Sequence, residues 1–233
     1  MSAPLRVLAL IPAYNEARNL PAVVGRIRER CPGVAVLVVD DGSTDDTVPI
    51  LEQLGVQWLR WPQRRGVGCA VRAGLRYGSR LGFDAVVRLD ADGQHDAEDI
   101  ERLLTPIRFG RADAVFGSRY AHDADAEPIL LKRMLARLVS AVGRRQVTDA
   151  TSGFWALGPR AVTLLATHHP RGYPEPELHL FLSHNRLSVE EVGVPVRERL
   201  SGQSSLTVLR LVAAAARVLL AMVIVPLRAR VSP

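Results

Sequence analysis

The chain opens on two uninterrupted apolar runs, LRVLALI at 5–11 and VAVLVV at 34–39. Continuous runs, as opposed to alternating apolar and polar positions, mark strands covered on both faces. Between them, 17–30 (ARNLPAVVGRIRER) carries apolar residues at helical spacing, so the opening is β-α-β. A second helix follows at 45–54, with Asp45, Asp46 and Thr47 at the end where negative charge and hydroxyls are favoured. Then come a short strand (56–60), a helix (69–80), a strand (84–90), a helix (97–108) and a strand (112–117). Such regular alternation predicts an α/β fold with a mostly parallel sheet flanked by helices.

Past residue 118 the alternation breaks. The segment 129–143 reads as a helix with Leu130, Leu131, Met134, Leu135, Leu138 and Val142 on one stripe, and Lys132, Arg133 and Arg137 mostly off it. A helix at 176–186 and a strand at 190–196 follow, while His168-His169, next to a proline, reads as a loop. Residues 206–225 are almost wholly apolar, with Arg210 and Arg217 on one face. The longest uncharged stretch there, Val218 to Leu227, is 10 residues, well short of the roughly 20 that span a bilayer. An amphipathic helix in the membrane interface and a helix packed on the protein or on a second subunit both fit. The expected division is thus a domain over 1–205 and a C-terminal apolar and basic helix over 206–233, a possible homodimer element.

Composition narrows the partners. With 30 Lys+Arg against 24 Asp+Glu, anionic ligands and anionic lipid suit the chain. Lys132 is the only lysine; arginine's planar fork matches phosphate, although a GC-rich genome gives the same bias. Aromatic residues, at 5%, are too few to build stacking platforms for nucleic acid. Cys31 and Cys69 show no metal-ligand spacing and no secretory signal is visible, so a cytoplasmic location is expected, including the inner face of the cell membrane.

In open parallel sheets, ligands collect beyond the carboxyl ends of the strands. There the sequence places Pro12-Ala-Tyr-Asn-Glu16, Asp40-Asp41-Gly-Ser-Thr, Asp90-Ala-Asp92-Gly-Gln94 and Gly117-Ser-Arg119. Asp90 and Asp92 point the same way on an extended segment, so their carboxylates and the Gln94 amide can converge on one hard cation. Mg2+ or Mn2+ held this way completes its shell with substrate phosphates and offsets charge on a diphosphate leaving group. Asp40 and Asp41 suit a base or ribose, or the cap of the next helix. The glycine- and arginine-containing stretch 64–74 fits a phosphate loop and a tight helix start equally well.

Taken in order, IPAYNE (11–16), VVDDGSTDDT (38–47), RGVGCAVRAGL (65–75), RLDADGQH (88–95), GSR (117–119), TDATSGFWAL (148–157), PEL (176–178), EVGVPV (191–196) and R-x-x-G-x-S (199–204) resemble the family 2 inverting glycosyltransferases. The branch most similar is that of the dolichyl- and polyprenyl-phosphate sugar synthases. The resemblance implies a Rossmann-like sheet of the glycosyltransferase A type, a nucleoside-diphosphate sugar donor and a lipid-linked or glycan acceptor. It implies that Pro12, Tyr14, Glu16 and Asp41 hold the nucleoside. Asp90, Ala91, Asp92 and Gln94 would hold the diphosphate and the metal, Arg119 and Arg199 would face phosphates, and Asp149, Ser152 and Gly153 would shape the pocket floor. Two positions depart from the pattern: Ser205 stands where a lysine often follows the final serine, and Arg64 and Arg65 stand where an asparagine often precedes the glycine loop.

An inverting transfer to a hydroxyl needs a general base. Glu175 and Glu177 are the candidates; two apart on a helix, they point to different sides, so one can serve. Glu177 matches the family's glutamate and is the expected base. An acceptor phosphate is already ionised and needs none. Two rival readings remain at this level. A sugar-phosphate nucleotidylyltransferase wants a glycine-rich loop after the first strand, where PAYNE stands. A nucleotide- or membrane-binding scaffold without turnover would not need Asp90, Asp92 and Glu177.

Overall fold

The structure is a computed structural model and describes residues 5–122, 128, 130–168, 174–197 and 216. Strands β1 (Val7–Ala13), β2 (Val34–Asp40), β3 (Gln57–Arg60), β4 (Ala85–Arg88) and β5 (Ala114–Ser118) alternate with helices α1 (Leu20–Arg30), α2 (Thr47–Leu54), α3 (Val67–Arg80) and α4 (Asp99–Arg108). The chain continues through α5 (Arg119–His122), α6 (Leu130–Gly143), β6 (Trp155–Leu157), α7 (Pro159–His168), α8 (Pro174–His184) and β7 (Val189–Gly193). The seven strands form one sheet in the order β3-β2-β1-β4-β6-β5-β7. All neighbours are parallel except β6, which runs antiparallel between β4 and β5. The mostly parallel α/β sheet read from the sequence is therefore what forms.

β1 lies at the sheet's centre and explains its own composition. Val7, Ala9 and Ile11 enter one core with α1 and α4, while Leu8 and Leu10 enter the other with α3, α7 and α8. Side chains alternate between the two faces, and because both faces are covered, every position is apolar. Helix α3 approaches β1 and β4 unusually closely through Gly74 and Gly78, one turn apart. A Cβ at Gly74 would lie 2.1 Å from Leu10 Cδ1, and one at Gly78 would lie 2.9 Å from Val86 Cγ2. Gly74→Val should therefore overpack this seam and cost about 2–3 kcal/mol of stability, readable as a lowered midpoint in denaturant unfolding.

The sequence reading needs four corrections in the second half. It contains neither β6 nor α7, and His168, read as loop, ends α7. The α6 stripe splits: Leu135, Ala136 and Val139 are buried against Leu180, Val147 and Ala150, whereas Leu130 and Met134 are 68% and 58% exposed. Element ends shift by up to three residues; the first strand runs to Ala13 rather than stopping at Ile11. The C-terminal segment 206–233 lies outside the described residues apart from Ala216.

Candidate active site at the carboxyl edge of the sheet

The register sets β1 against both β2 and β4, so the turns that leave them open on the same edge. The turn after β1 is built from the turn after β2. Asn15 sits in the left-handed region (φ 58°), which asparagine tolerates. Its amide donates to Ser43 Oγ (2.9 Å), and its Oδ1 accepts the Thr44 amide (2.8 Å). Glu16 is anchored locally: its amide donates to Thr47 Oγ1 (3.0 Å) and its carboxylate accepts Asn19 Nδ2 (2.6 Å). Tyr14, half-buried, lies beneath the Arg64 guanidinium, 3.9 Å from its ring centroid.

The two aspartates after β2 divide their work. Asp40 is fully buried, accepts the Ser43 amide (3.1 Å) and hydroxyl, and pairs with Arg60 Nε at 3.3 Å. Asp41 uses both carboxylate oxygens on the loop before α3, accepting the Arg65 and Gly66 amides at 2.7 Å each. The intervening Gly42 (φ 77°) is pressed against that loop, and a Cβ there would fall 2.8 Å from the Arg64 nitrogen. Asp41 is thus the anchor of the arginine-bearing loop that carries Arg64 over Tyr14, a role the sequence did not disclose.

After β4, Asp92 is buried and its Oδ1 accepts the Gln94 amide (3.0 Å), closing the turn. Asp90 is partly exposed, and its Oδ1 accepts Arg88 Nη2 at 2.6 Å. Arg88 is 3% exposed and also donates through Nη1 to Glu175 on α8, itself buried. Sequence reasoning gave Arg88 no role. The signal was present, since a charge inside an apolar strand buried on both faces must find a partner. Burial drives the Glu175 carboxyl above the usual carboxylate range, and Arg88 pulls against that shift. Glu177, two positions further along α8, is half-buried; the carboxylate that Arg88 Nη1 meets is that of Glu175.

After β5, Arg119 Nε donates to Asp149 Oδ2 at 2.9 Å, joining two residues expected at the phosphates and the pocket floor. Asp149 is buried and also accepts the Thr151 amide (3.1 Å) and hydroxyl (2.9 Å). Lys132 of α6 is held below its ordinary pKa by burial first and by the charge of Arg119 second. Gly153, on the strand side of this floor, packs against the Asp90 carboxylate. Pro12 and Ala91 flank the same edge, at the ends of β1 and β4, whereas Arg199 lies outside the described residues.

The donor set suits a hard cation. Asp90, Asp92 and the Gln94 amide offer oxygens, and one or two carboxylates are what Mg2+ or Mn2+ takes from protein when phosphates supply the rest. Among the described residues, no group of three or more His, Cys, Asp or Glu is arranged as a metal cage. A cation here would draw most of its shell from ligand and water.

Two imidazoles complete the neighbourhood, His95 half-buried and His179 fully buried. His95 stacks on Phe154 (4.7 Å between centroids), and burial lowers its pKa to about 4. His179 stacks on Phe116 (3.8 Å) and meets Arg145 through Nδ1; burial, then Arg145, holds it well below the ordinary histidine range. Both rings stay neutral in the folded protein where the unfolded chain begins to bind protons, so stability falls as pH drops below about 6.5. His95 alone should account for about 3 kcal/mol by the time its folded ring protonates. Melting temperature followed from pH 7 to pH 4 should decline, and His95→Phe should flatten part of the decline.

Comparison with known proteins identifies the family. Residues 9–165 match glycosyl transferase family 2. The chain is 33% identical over 219 residues to the polyprenol monophosphomannose synthase of Mycolicibacterium smegmatis, covering 87% of this chain and 81% of that one. It is 34% identical to the undecaprenyl-phosphate mannosyltransferase of Micrococcus luteus, covering 87% and 88%. Its fold is similar to that of glucosyl-3-phosphoglycerate synthase from Mycobacterium tuberculosis, solved with Mn2+, uridine-diphosphate-glucose and phosphoglyceric acid, with a TM-score of 0.75 at 22% identity over 95% of this chain and 80% of that chain. With the family matched over residues 9–165 and relatives this similar over most of its length, this chain belongs to glycosyl transferase family 2 and is a glycosyltransferase.

Proposed function

We propose that the enzyme moves a sugar from a nucleoside-diphosphate donor to a polyprenyl phosphate, with inversion and with the help of a divalent cation. The observation that carries this reading is the gathering of Asp90, Asp92, Arg119 and Asp149 on the sheet edge where Tyr14 and Asp41 also lie. The names of the mannosyl-transferring relatives support the acceptor class. Pro12, Tyr14, Glu16 and Asp41 bind the nucleoside, and Ala91 lets the diphosphate lie against the turn between Asp90 and Asp92. These two aspartates and Gln94 hold Mg2+ or Mn2+, which supplies neutralising charge to the departing diphosphate. Arg119, fixed by Asp149, and Arg199 bind phosphate. An acceptor phosphate is ionised at neutral pH, so it attacks the anomeric carbon without a general base. Glu177 then orients the acceptor; toward a hydroxyl acceptor it would take the proton instead.

The acceptor class implies work at a membrane surface. Among the described residues, no helix is long and apolar enough to cross a membrane. The exposed Leu130 and Met134 share α6 with exposed Arg137, a combination that suits the inner leaflet of an anionic membrane. The test is a panel of nucleotide sugars incubated with polyprenyl phosphate in anionic vesicles, with Mn2+ or with a chelator. Transfer to the lipid from one donor, lost on chelation, is the expected result. Transfer only to a soluble glycan, or undiminished transfer without metal, would defeat the reading.

A further inference from the structure

The role given above to Asp90, as a ligand of the donor's diphosphate and cation, is the premise here. Arg88 lies directly behind that carboxylate, 3% exposed, with Nη2 2.6 Å from Asp90 Oδ1. A guanidinium so placed competes with any cation for the same negative charge. It is not alone with Asp90, however. Glu175 on α8, 4% exposed, accepts from Nη1 of the same guanidinium. Its other oxygen, Oε2, is buried with no hydrogen-bond partner among the described residues. The charge of Glu175 is therefore directed at Arg88. With all three ionised, the side chains carry one net negative charge, two carboxylates against one guanidinium.

We infer that Glu175 is a positioning residue: the counter-charge that keeps Arg88 from neutralising Asp90, so that Asp90 is held in place yet still presents its charge to the cation. With Glu175 neutral, more of the Arg88 charge falls on Asp90, and an incoming cation meets a weaker negative field. The effect is large because the groups are withdrawn from water, where charges interact far more strongly. Gly153 belongs to the same device. A Cβ there would stand 2.4 Å from Asp90 Oδ2 and 3.1 Å from Arg88 Nη1, so only glycine leaves room for the pair. The link also ties α8, which carries Glu177, to the strand that leads into the turn bearing the cation ligands.

The experiment titrates Mn2+ into the full-length protein with UDP or GDP present and reads free Mn2+ by electron paramagnetic resonance, alongside each variant's metal-free melting temperature. Glu175→Gln keeps the shape and the bond to Arg88 but removes the charge. It should raise the half-saturating Mn2+ about tenfold. The double variant Arg88→Met/Glu175→Gln removes the competing guanidinium as well, buries no lone charge, and should return the value to within about threefold of the parent. A merely structural link between β4 and α8 would not recover in the double variant. Less than a threefold rise in Glu175→Gln, or a double variant no better than the single, overturns the inference. Asp90→Ala separates the premise from the inference. Mn2+ binding unchanged in Asp90→Ala sinks the ligand role of Asp90, whereas binding lost there but unchanged in Glu175→Gln sinks only the role of Glu175.

Discussion

Replacing Asp90 by alanine should lower sugar transfer about a thousandfold, the scale on which single charge-stabilising groups act at reacting centres, while the protein still folds. The fold should survive because the Asp90 side chain is 36% exposed and its removal leaves Arg88 paired with Glu175, so no buried charge is stranded. Asp92 is a poorer probe. It is 5% exposed and its Oδ1 closes the turn onto the Gln94 amide, so Asp92→Ala mixes loss of chemistry with loss of the turn. The measurement is kcat with polyprenyl phosphate as acceptor, compared with thermal unfolding of the same preparation. An Asp90→Ala enzyme within tenfold of the parent would remove this carboxylate from the chemistry.

Arg88→Met should be the most destabilising single change at the site, costing about 3–5 kcal/mol, because it strands the Glu175 carboxylate in the interior. The cost has a sign in pH. In the parent, the folded pKa of Glu175 is already raised, chiefly by burial, with Arg88 opposing the shift. Removing Arg88 widens the gap between folded and unfolded values. Between them the folded state holds a proton that the unfolded chain has released, so stability falls as pH rises through that interval. The melting temperature of Arg88→Met should therefore drop from pH 5 to pH 8, against the acid-side trend set by His95 and His179. Glu175→Gln in the same background should abolish that drop. A variant equally unstable at all pH values would show that lost packing, not the stranded carboxylate, is the cause.

Much of the site was legible because its chemistry lies where a one-dimensional pattern can find it. A continuous apolar run means a strand covered on both faces, and a polar residue at its carboxyl end means a group at the ligand edge. That logic placed Asp40, Asp41, Asp90, Asp92 and Arg119 together without coordinates. It failed for β6, because a three-residue strand such as Trp155–Leu157 has no period of its own. It exists only by pairing with β4 on one side and β5 on the other. The split stripe of α6 has a related origin. Helical spacing groups Leu130, Met134 and Leu135 on one side, but which of them is covered depends on where α8 lies.

What the sequence determined by itself, then, is the sheet, its order of strands and helices through β5, and the set of side chains at its carboxyl edge. Local periodicity and strand-end position carry that information, and both are properties of a few neighbouring residues. What only the tertiary structure decided is how those side chains are used. Both carboxylate oxygens of Asp41 were given to the amides of a loop 24 and 25 residues away, and the buried Arg88 found Glu175 through a contact 87 residues distant. Hydrogen bonds and charge pairs at such separations depend on which surfaces the fold brings face to face, and no spacing along the chain records that.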